Sequence, residues 1–173
     1  MRARLLISML VGVCLYAGLE GSYVLPVDEA PILYSKTPAD DPVARLQKEI
    51  ADGAVKLEYD SNFGYLPSVL QALKVPVSSQ VLVFSKTSFQ APKISPRLPR
   101  ALYFNNDVYV GYVRGGDVLE FASTDPKQGT MFYTLDQEKA AKPQFTRQEQ
   151  CVHCHASGAT LGVPGLVVFV RQP

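Results

Sequence analysis

The residues with the most distinctive chemistry form the run Cys151-Val152-His153-Cys154-His155. This is the C-x-x-C-H pattern of a covalent haem site. Two cysteines three residues apart lie on one face of a helical turn, so both sulfurs can form thioethers with the two vinyl groups of one haem. The histidine that follows is then placed to bind the iron as the proximal ligand. The spacing therefore predicts one haem c per chain, bound through Cys151, Cys154 and His155.

Other uses of this cysteine pair remain open. A disulfide between Cys151 and Cys154 would close a very short loop and stabilise the fold little. A structural zinc site would need four ligands, and a second C-x-x-C or an H-x-x-x-H is missing. A thioredoxin-like pair would begin a helix in a βαβ unit, whereas this pair lies near the end of the sequence. A non-haem redox or metal pair is the alternative to haem.

The second axial ligand is less clearly indicated. The sequence has two histidines, and His153 lies inside the attachment loop on the proximal side, where it cannot reach across the ring. Met131 is the candidate distal ligand, because His/Met ligation is a known electron-transfer pairing. It lies in a predicted strand, however, and could simply pack in the core. The iron would then be five-coordinate, or it would take a lysine or a ligand from a partner.

Residues 1–18 have the pattern of a secretory signal peptide. Arg2 and Arg4 precede an apolar run over residues 5–16, and the small residues Ala17 and Gly18 follow. The run is shorter than the ~20 apolar residues that a spanning helix needs. We therefore expect export to the periplasm, where c-type haem is attached. An uncleaved membrane anchor is the alternative, because the cleavage site is not a clean A-x-A.

The composition indicates one folded domain. The chain has 173 residues, of which 47% are hydrophobic and 19% charged. A formal net charge of +1 gives no field that would attract nucleic acid, so we expect no nucleic-acid partner. Neither a Ser–His–Asp set nor a paired-carboxylate site stands out. An electron-transfer protein is therefore favoured over an enzyme.

The predicted elements combine two helices with a series of strands. Asp41 and Pro42 begin a helix that Gly53 ends, and a second helix runs from Pro67 to about Lys74. The strands are separated by short turns, which favours an antiparallel meander, and they cover residues 80–85, 101–104, 108–113, 118–122 and 130–135.

A capping box precedes the motif and predicts a helix that carries both cysteines. It reads Thr146-Arg147-Gln148-Glu149, with Thr146 as the N-cap. The predicted fold class is therefore α+β, an antiparallel strand meander with a few short helices and a haem-attachment helix near the C-terminus. Residues 1–18 form the signal peptide, 19–40 an extended segment, and 41–173 the haem-binding domain.

Aromatic residues of the predicted strands are candidate walls of a haem pocket, although an aromatic residue in a strand usually packs in the core. They are Tyr103, Phe104, Tyr109, Tyr112, Phe121, Phe132 and Tyr133. Three basic residues, Lys93, Arg97 and Arg100, could hold the haem propionates or meet a redox partner, or they could lie in a solvated loop.

The C-x-x-C-H motif in an exported chain resembles that of c-type cytochromes. The resemblance implies covalent haem, His155 as the proximal ligand, and electron transfer with redox partner proteins in the periplasm. The chain departs from small cytochromes c, in which the motif lies near the N-terminus and a helical domain with a distal methionine follows. Here 18 residues follow His155. It also lacks the helical pattern of the four-helix c-prime type, because residues 79–135 are predicted as strands.

The stretch from Ser85 to Leu135 is similar to the segment before the motif in longer exported bacterial cytochrome c domain-containing proteins. That resemblance implies a shortened member in which part of the distal side is missing. The expected function is that of a periplasmic monohaem c-type cytochrome that transfers electrons. The alternative is a haem enzyme, or a gas- or peroxide-binding haem protein, with an open sixth position on the iron.

Overall fold

The structure is a computed structural model that describes residues 26–84 and 86–166. The predicted signal peptide of residues 1–18 and the first part of segment 19–40 lie outside the described residues. Within the described ranges, no helix is both long and apolar enough to cross a membrane.

The described chain forms three short helices and six strands. The helices are α1 Pro42–Ala51, α2 Leu66–Ala72 and α3 Val152–His155. The strands are β1 Val81–Val83, β2 Arg100–Phe104, β3 Val108–Val113, β4 Val118–Asp125, β5 Gly129–Asp136 and β6 Phe145–Arg147. Short 3-10 turns lie at Pro26–Asp28, Val77–Ser79, Ala91–Lys93, Glu149–Cys151 and Gly158–Thr160.

The six strands form one antiparallel sheet in which each strand pairs with the next along the chain. Successive side chains of a strand point to opposite faces, so the register assigns every strand residue to one of two faces. We call the face that carries Leu119, Phe121 and Leu135 the helix face, because it packs against α1. We call the face that carries Glu120 and Ala122 the open face. Phe121 pairs with Tyr133, so Tyr133 lies on the helix face. Ala122 pairs with Phe132, so Phe132 lies on the open face.

Helix α1 begins as the sequence predicts. The Asp41 side chain accepts hydrogen bonds from the backbone N–H groups of Val43, at 2.9 Å, and Ala44, at 3.3 Å, and Pro42 occupies the first turn. The other carboxylate oxygen of the fully buried Asp41 accepts from the Tyr133 hydroxyl. One side chain therefore both begins the helix and fixes it to β5.

The described part of segment 19–40 packs against the sheet. Tyr34 is buried, and its hydroxyl donates to the carbonyl of Thr130 at 3.1 Å. The side-chain amide of the buried Gln128 donates to the carbonyl of Tyr34 at 3.0 Å. These contacts place the segment at the β5 edge of the sheet, where β6 does not reach.

The predicted α+β fold with a haem-attachment helix is wrong. Thr146, the predicted N-cap, lies in β6 and pairs with Thr134. The backbone N–H of Gln148 then donates to the carbonyl of Phe132 at 2.8 Å, so that pairing with β5 satisfies the groups that the helix would have used. Only a 3-10 turn and the four-residue α3 follow, and Ala156 leaves the helical region at φ −114° and ψ 79°. The fold of the described residues is mostly β.

Candidate functional site

The two cysteines of the motif lie on consecutive helical turns. Cys151 has φ −63° and ψ −28° and directly precedes α3, which contains Cys154. Both thiols are free; Cys151 is half-buried and Cys154 is exposed. Residues three apart in helical geometry share one face, so both sulfurs are available to one ligand.

His155 is fixed by a hydrogen bond of its ring. Its Nδ1 atom lies 2.9 Å from the backbone carbonyl oxygen of Gly165. A carbonyl oxygen only accepts hydrogen bonds, so Nδ1 must carry the proton in this contact. The neutral ring then has its free lone pair on Nε2. This is the arrangement of a metal-binding histidine, in which the second ring nitrogen donates to a carbonyl or a carboxylate.

The backbone around His155 reinforces the ring contact. The N–H of Gly165 donates to the carbonyl of His155 at 3.0 Å, and the Thr160 hydroxyl donates to the same carbonyl at 3.3 Å. The chain between them turns through Leu161 and Gly162, whose φ angles are +54° and +78°. The segment 155–165 is therefore a closed loop whose two ends hold the imidazole.

Strand β5 anchors the far end of this loop. The N–H of Thr130 donates to the carbonyl of Pro164 at 2.8 Å. Gly129 has φ +81°, and a Cβ atom built on it would lie 2.4 Å from that same carbonyl oxygen. Glycine is required here because both the backbone angle and the close approach exclude a side chain.

The motif also packs on the sheet. The rings of His155 and Phe132 have their centroids 4.6 Å apart at an angle of 47°. Val152 and Ala156, on either side of the second cysteine, are buried in the main hydrophobic core. The position of the imidazole therefore depends on tertiary packing as well as on the 155–165 loop.

Burial raises the pKa of the Cys151 thiol to about 11, and the negative charge of Glu120 and the neighbouring Cys154 act in the same direction. Redox-active C-x-x-C pairs depend instead on a cysteine whose pKa is lowered. The Cys151 thiol therefore lacks the lowered pKa on which such pairs depend. In the described residues, no group of three or more His, Cys, Asp or Glu side chains is placed to hold a metal ion.

The structure does not bring Met131 and His155 together. Met131 is fully buried and belongs to the main core. It pairs with Ser123 and alternates with Phe132 along β5, so it lies on the helix face while Phe132 contacts His155 from the open face. His153 is exposed, and its Nδ1 lies 3.1 Å from the carbonyl of Gln150.

The candidate wall residues divide between the two faces of the sheet. Phe104, Tyr109 and Phe132 lie on the open face, whereas Tyr103, Tyr112, Phe121 and Tyr133 lie on the helix face by register.

Two of the three basic candidates already have acidic partners. Lys93 pairs with Asp117 at 2.6 Å, and Arg100 pairs with Glu120 at 2.9 Å. Arg97 is exposed on the segment that precedes β2.

Two functional contacts were not found by sequence reasoning. The carbonyl of Gly165 and the glycine at position 129 position His155, yet neither position belongs to the motif. The only sequence signal is the concentration of Gly158, Gly162, Pro164 and Gly165, which indicates a turning loop but not its hydrogen-bond partner.

Comparison with protein-family models, with curated proteins and with solved structures finds no match to this chain. The functional argument therefore depends on the residues themselves.

Proposed function

We propose that this chain is an exported monohaem c-type cytochrome that binds haem covalently through Cys151 and Cys154, with His155 as the proximal iron ligand. The observation that carries the proposal is the hydrogen bond from His155 Nδ1 to the Gly165 carbonyl. With the proton on Nδ1, Nε2 is the free donor atom of an oriented imidazole in the same short motif as two free thiols.

The covalent step needs no oxidant and has no leaving group. Each thiol adds across one vinyl group, so that sulfur bonds to the carbon nearest the ring and hydrogen goes to the terminal carbon. Each vinyl double bond becomes a single bond, and two thioethers result. Cys151 and Cys154 would hold the haem, and the exposed Cys154 is the more accessible of the two sulfurs.

The bound haem supplies a one-electron iron couple, and the protein residues set its potential. The Gly165 carbonyl makes the His155 imidazole more basic by accepting its Nδ1 proton in a hydrogen bond. A more basic ligand stabilises ferric iron and lowers the potential. The proposed role is outer-sphere electron transfer to redox partner proteins in the periplasm.

The placement of Met131 favours one second candidate function. A methionine on the helix face lies on the other side of the sheet from Phe132 and His155. Without Met131 as a ligand, the bound haem could react as in a haem enzyme or in a protein that binds peroxide or a small gas. Binding of carbon monoxide to the reduced protein distinguishes this function from simple electron transfer, because a six-coordinate iron with two protein ligands resists it.

Matched histidine variants test the proximal assignment. The chain should be exported with the c-type maturation machinery and examined as wild type, His155→Ala and His153→Ala. We expect His155→Ala to change the visible spectrum while leaving thioether attachment possible. His153→Ala should match the wild type, because its exposed ring contacts the nearby Gln150 carbonyl. A spectrum that changes with His153→Ala and not with His155→Ala would refute the assignment.

A further inference from the structure

Four residues form a continuous row across the open face of the sheet. The register pairs Phe132 with Ala122, Ala122 with Tyr109, and Tyr109 with Phe104. We call these four residues the aromatic row. It crosses four strands, β5 to β2, at right angles to the strand direction.

The smallest side chain of the row stands at its second position. Phe132 and Tyr109 lie two strands apart, which is about 10 Å at ordinary strand spacing. Between them Ala122 carries only a methyl group. Phe132 is buried, whereas Ala122, Tyr109 and Phe104 are half-buried. Phe104 and Tyr109 stack at 5.4 Å with an interplanar angle of 15°, so the far end of the row is a flat pair of rings. The half-buried part of the row is therefore a methyl group beside two stacked rings.

The motif stands at one end of this row. The ring of Phe132, the first member, contacts the imidazole of His155 at 4.6 Å. Cys151 lies close enough to Glu120, the open-face residue that precedes Ala122 by two positions, for that charge to act on its thiol. His155 therefore stands at the Phe132 end of the row, and the Glu120 charge that acts on Cys151 lies on the same face as Ala122.

The charged group beside the row is already neutralised. Glu120 pairs with Arg100 at 2.9 Å, and it also accepts hydrogen bonds from the Ser88 hydroxyl and the Phe89 N–H, each at 2.7 Å. Both side chains of the ion pair are largely buried. A flat apolar ring can therefore cover this part of the sheet without leaving an unpaired carboxylate beneath it.

We infer that the aromatic row is the seat of the haem, with one edge of the porphyrin over Ala122 between Phe132 and the Phe104–Tyr109 pair. The inference rests on the proposed function, because it takes the haem to be tethered at Cys151 and Cys154. It names the occupant from the position of that tether and from the match between a flat apolar ring and a row of aromatic and small apolar side chains.

A matched pair of substitutions on one strand tests the inference. Ala122→Phe adds a ring at the small position of the row, whereas Thr124→Phe adds the same ring two residues along β4, on the same face but at an exposed position outside the row. With far-UV circular dichroism unchanged in both, we expect Ala122→Phe to shift the Soret maximum and the reduction midpoint potential. Thr124→Phe should leave both at wild-type values. Equal behaviour of the two variants would overturn the inference.

A second measurement uses the wild-type chain and does not depend on how well Ala122→Phe folds. A methyl group beside a porphyrin face has a strongly shifted proton resonance, whichever ligand completes the iron. We expect the Ala122 methyl to be shifted in the haem-bearing protein and to return to the ordinary alanine range in Cys151→Ala/Cys154→Ala. An ordinary Ala122 resonance in a protein that carries covalent haem would refute the proposed position of the haem and leave the proposed function intact. Absence of covalent haem from the wild type would refute the proposed function itself.

Discussion

Replacement of Gly129 by alanine tests how the sheet positions His155, the proposed proximal ligand. Gly129 has φ +81°, and a Cβ atom there would lie 2.4 Å from the carbonyl oxygen of Pro164. Gly165, which follows Pro164, supplies the carbonyl that accepts the hydrogen bond from His155 Nδ1–H. Gly115 is the matched control, because it also has a positive φ, +68°, but a Cβ atom there would have no neighbouring atom within 4 Å.

The two variants are expected to differ in stability. A left-handed backbone angle costs a residue with a side chain about 1–2 kcal/mol, and Gly115→Ala should lose about that much free energy of unfolding. Gly129→Ala additionally pushes Pro164 away and loses the hydrogen bond from the Thr130 N–H, which measures 2.8 Å. That bond contributes about 0.5–1.5 kcal/mol. The expected total for Gly129→Ala is about 1.5–3.5 kcal/mol.

Urea unfolding followed by circular dichroism measures the stability of both variants, and redox titration of the haem-bearing proteins measures their potentials. Displacement of Gly165 weakens the hydrogen bond to His155 and makes the imidazole less basic, so the potential of Gly129→Ala should rise. If loss of this hydrogen bond destabilises the ferric protein by about 1 kcal/mol more than the ferrous protein, the reduction potential rises by about 40 mV for one electron. Gly115→Ala should keep the wild-type potential. Equal potentials in the two variants would refute the reasoning.

Three further predictions follow from the described contacts. In protein made without haem, iodoacetamide at pH 8 should alkylate the exposed Cys154 well before Cys151, whose pKa of about 11 leaves roughly one thiol in a thousand ionised; equal rates by peptide mass spectrometry would contradict this. Met131→Leu should leave the ferrous and carbon monoxide spectra unchanged, because Met131 lies in the core on the helix face; a changed ferrous spectrum would show that it is a ligand. Tyr133→Phe should lower the free energy of unfolding by about 1.5–3 kcal/mol, since it leaves the buried Asp41 without its hydroxyl donor; a loss below about 0.5 kcal/mol in urea unfolding would show that the bond contributes little.

Much of the strand order could be predicted from local patterns. The predicted strand 108–113 has the bounds of β3, because turn residues mark both of its ends. The short edge strand β6 was missed, because Phe145–Arg147 overlaps the capping-box pattern that predicted a helix. The segment forms a strand and not a helix because it pairs with Thr134 and Phe132 on β5. These partners are distant in the sequence, so a local pattern does not show them.

The faces of the sheet were also beyond sequence reasoning. The predicted strand 108–113 is mostly apolar on both sides, so alternation does not show which of its aromatic residues share a face with the motif. Only the register separates Phe132, on the side of His155, from Met131, on the side of α1. This is why Met131 stood out in the sequence as a distal ligand and yet lies in the core of the structure.

The spacing of the motif selects Cys151, Cys154 and His155 as candidates, and their role in haem binding stays a prediction. The groups that support the motif could not be predicted. The Gly165 carbonyl and Gly129 come together only when the 155–165 loop meets the start of β5, 36 positions back from Gly165 in the chain. A contact of that separation has no local sequence signature.

The central claim is that haem is joined by sulfur to Cys151 and Cys154. The most direct measurement is the intact mass, under denaturing conditions, of the chain exported with the c-type maturation machinery. The account predicts an increase of one haem that survives denaturation and is lost in Cys151→Ala/Cys154→Ala. A wild-type mass equal to that of the bare polypeptide, despite correct export, would contradict it.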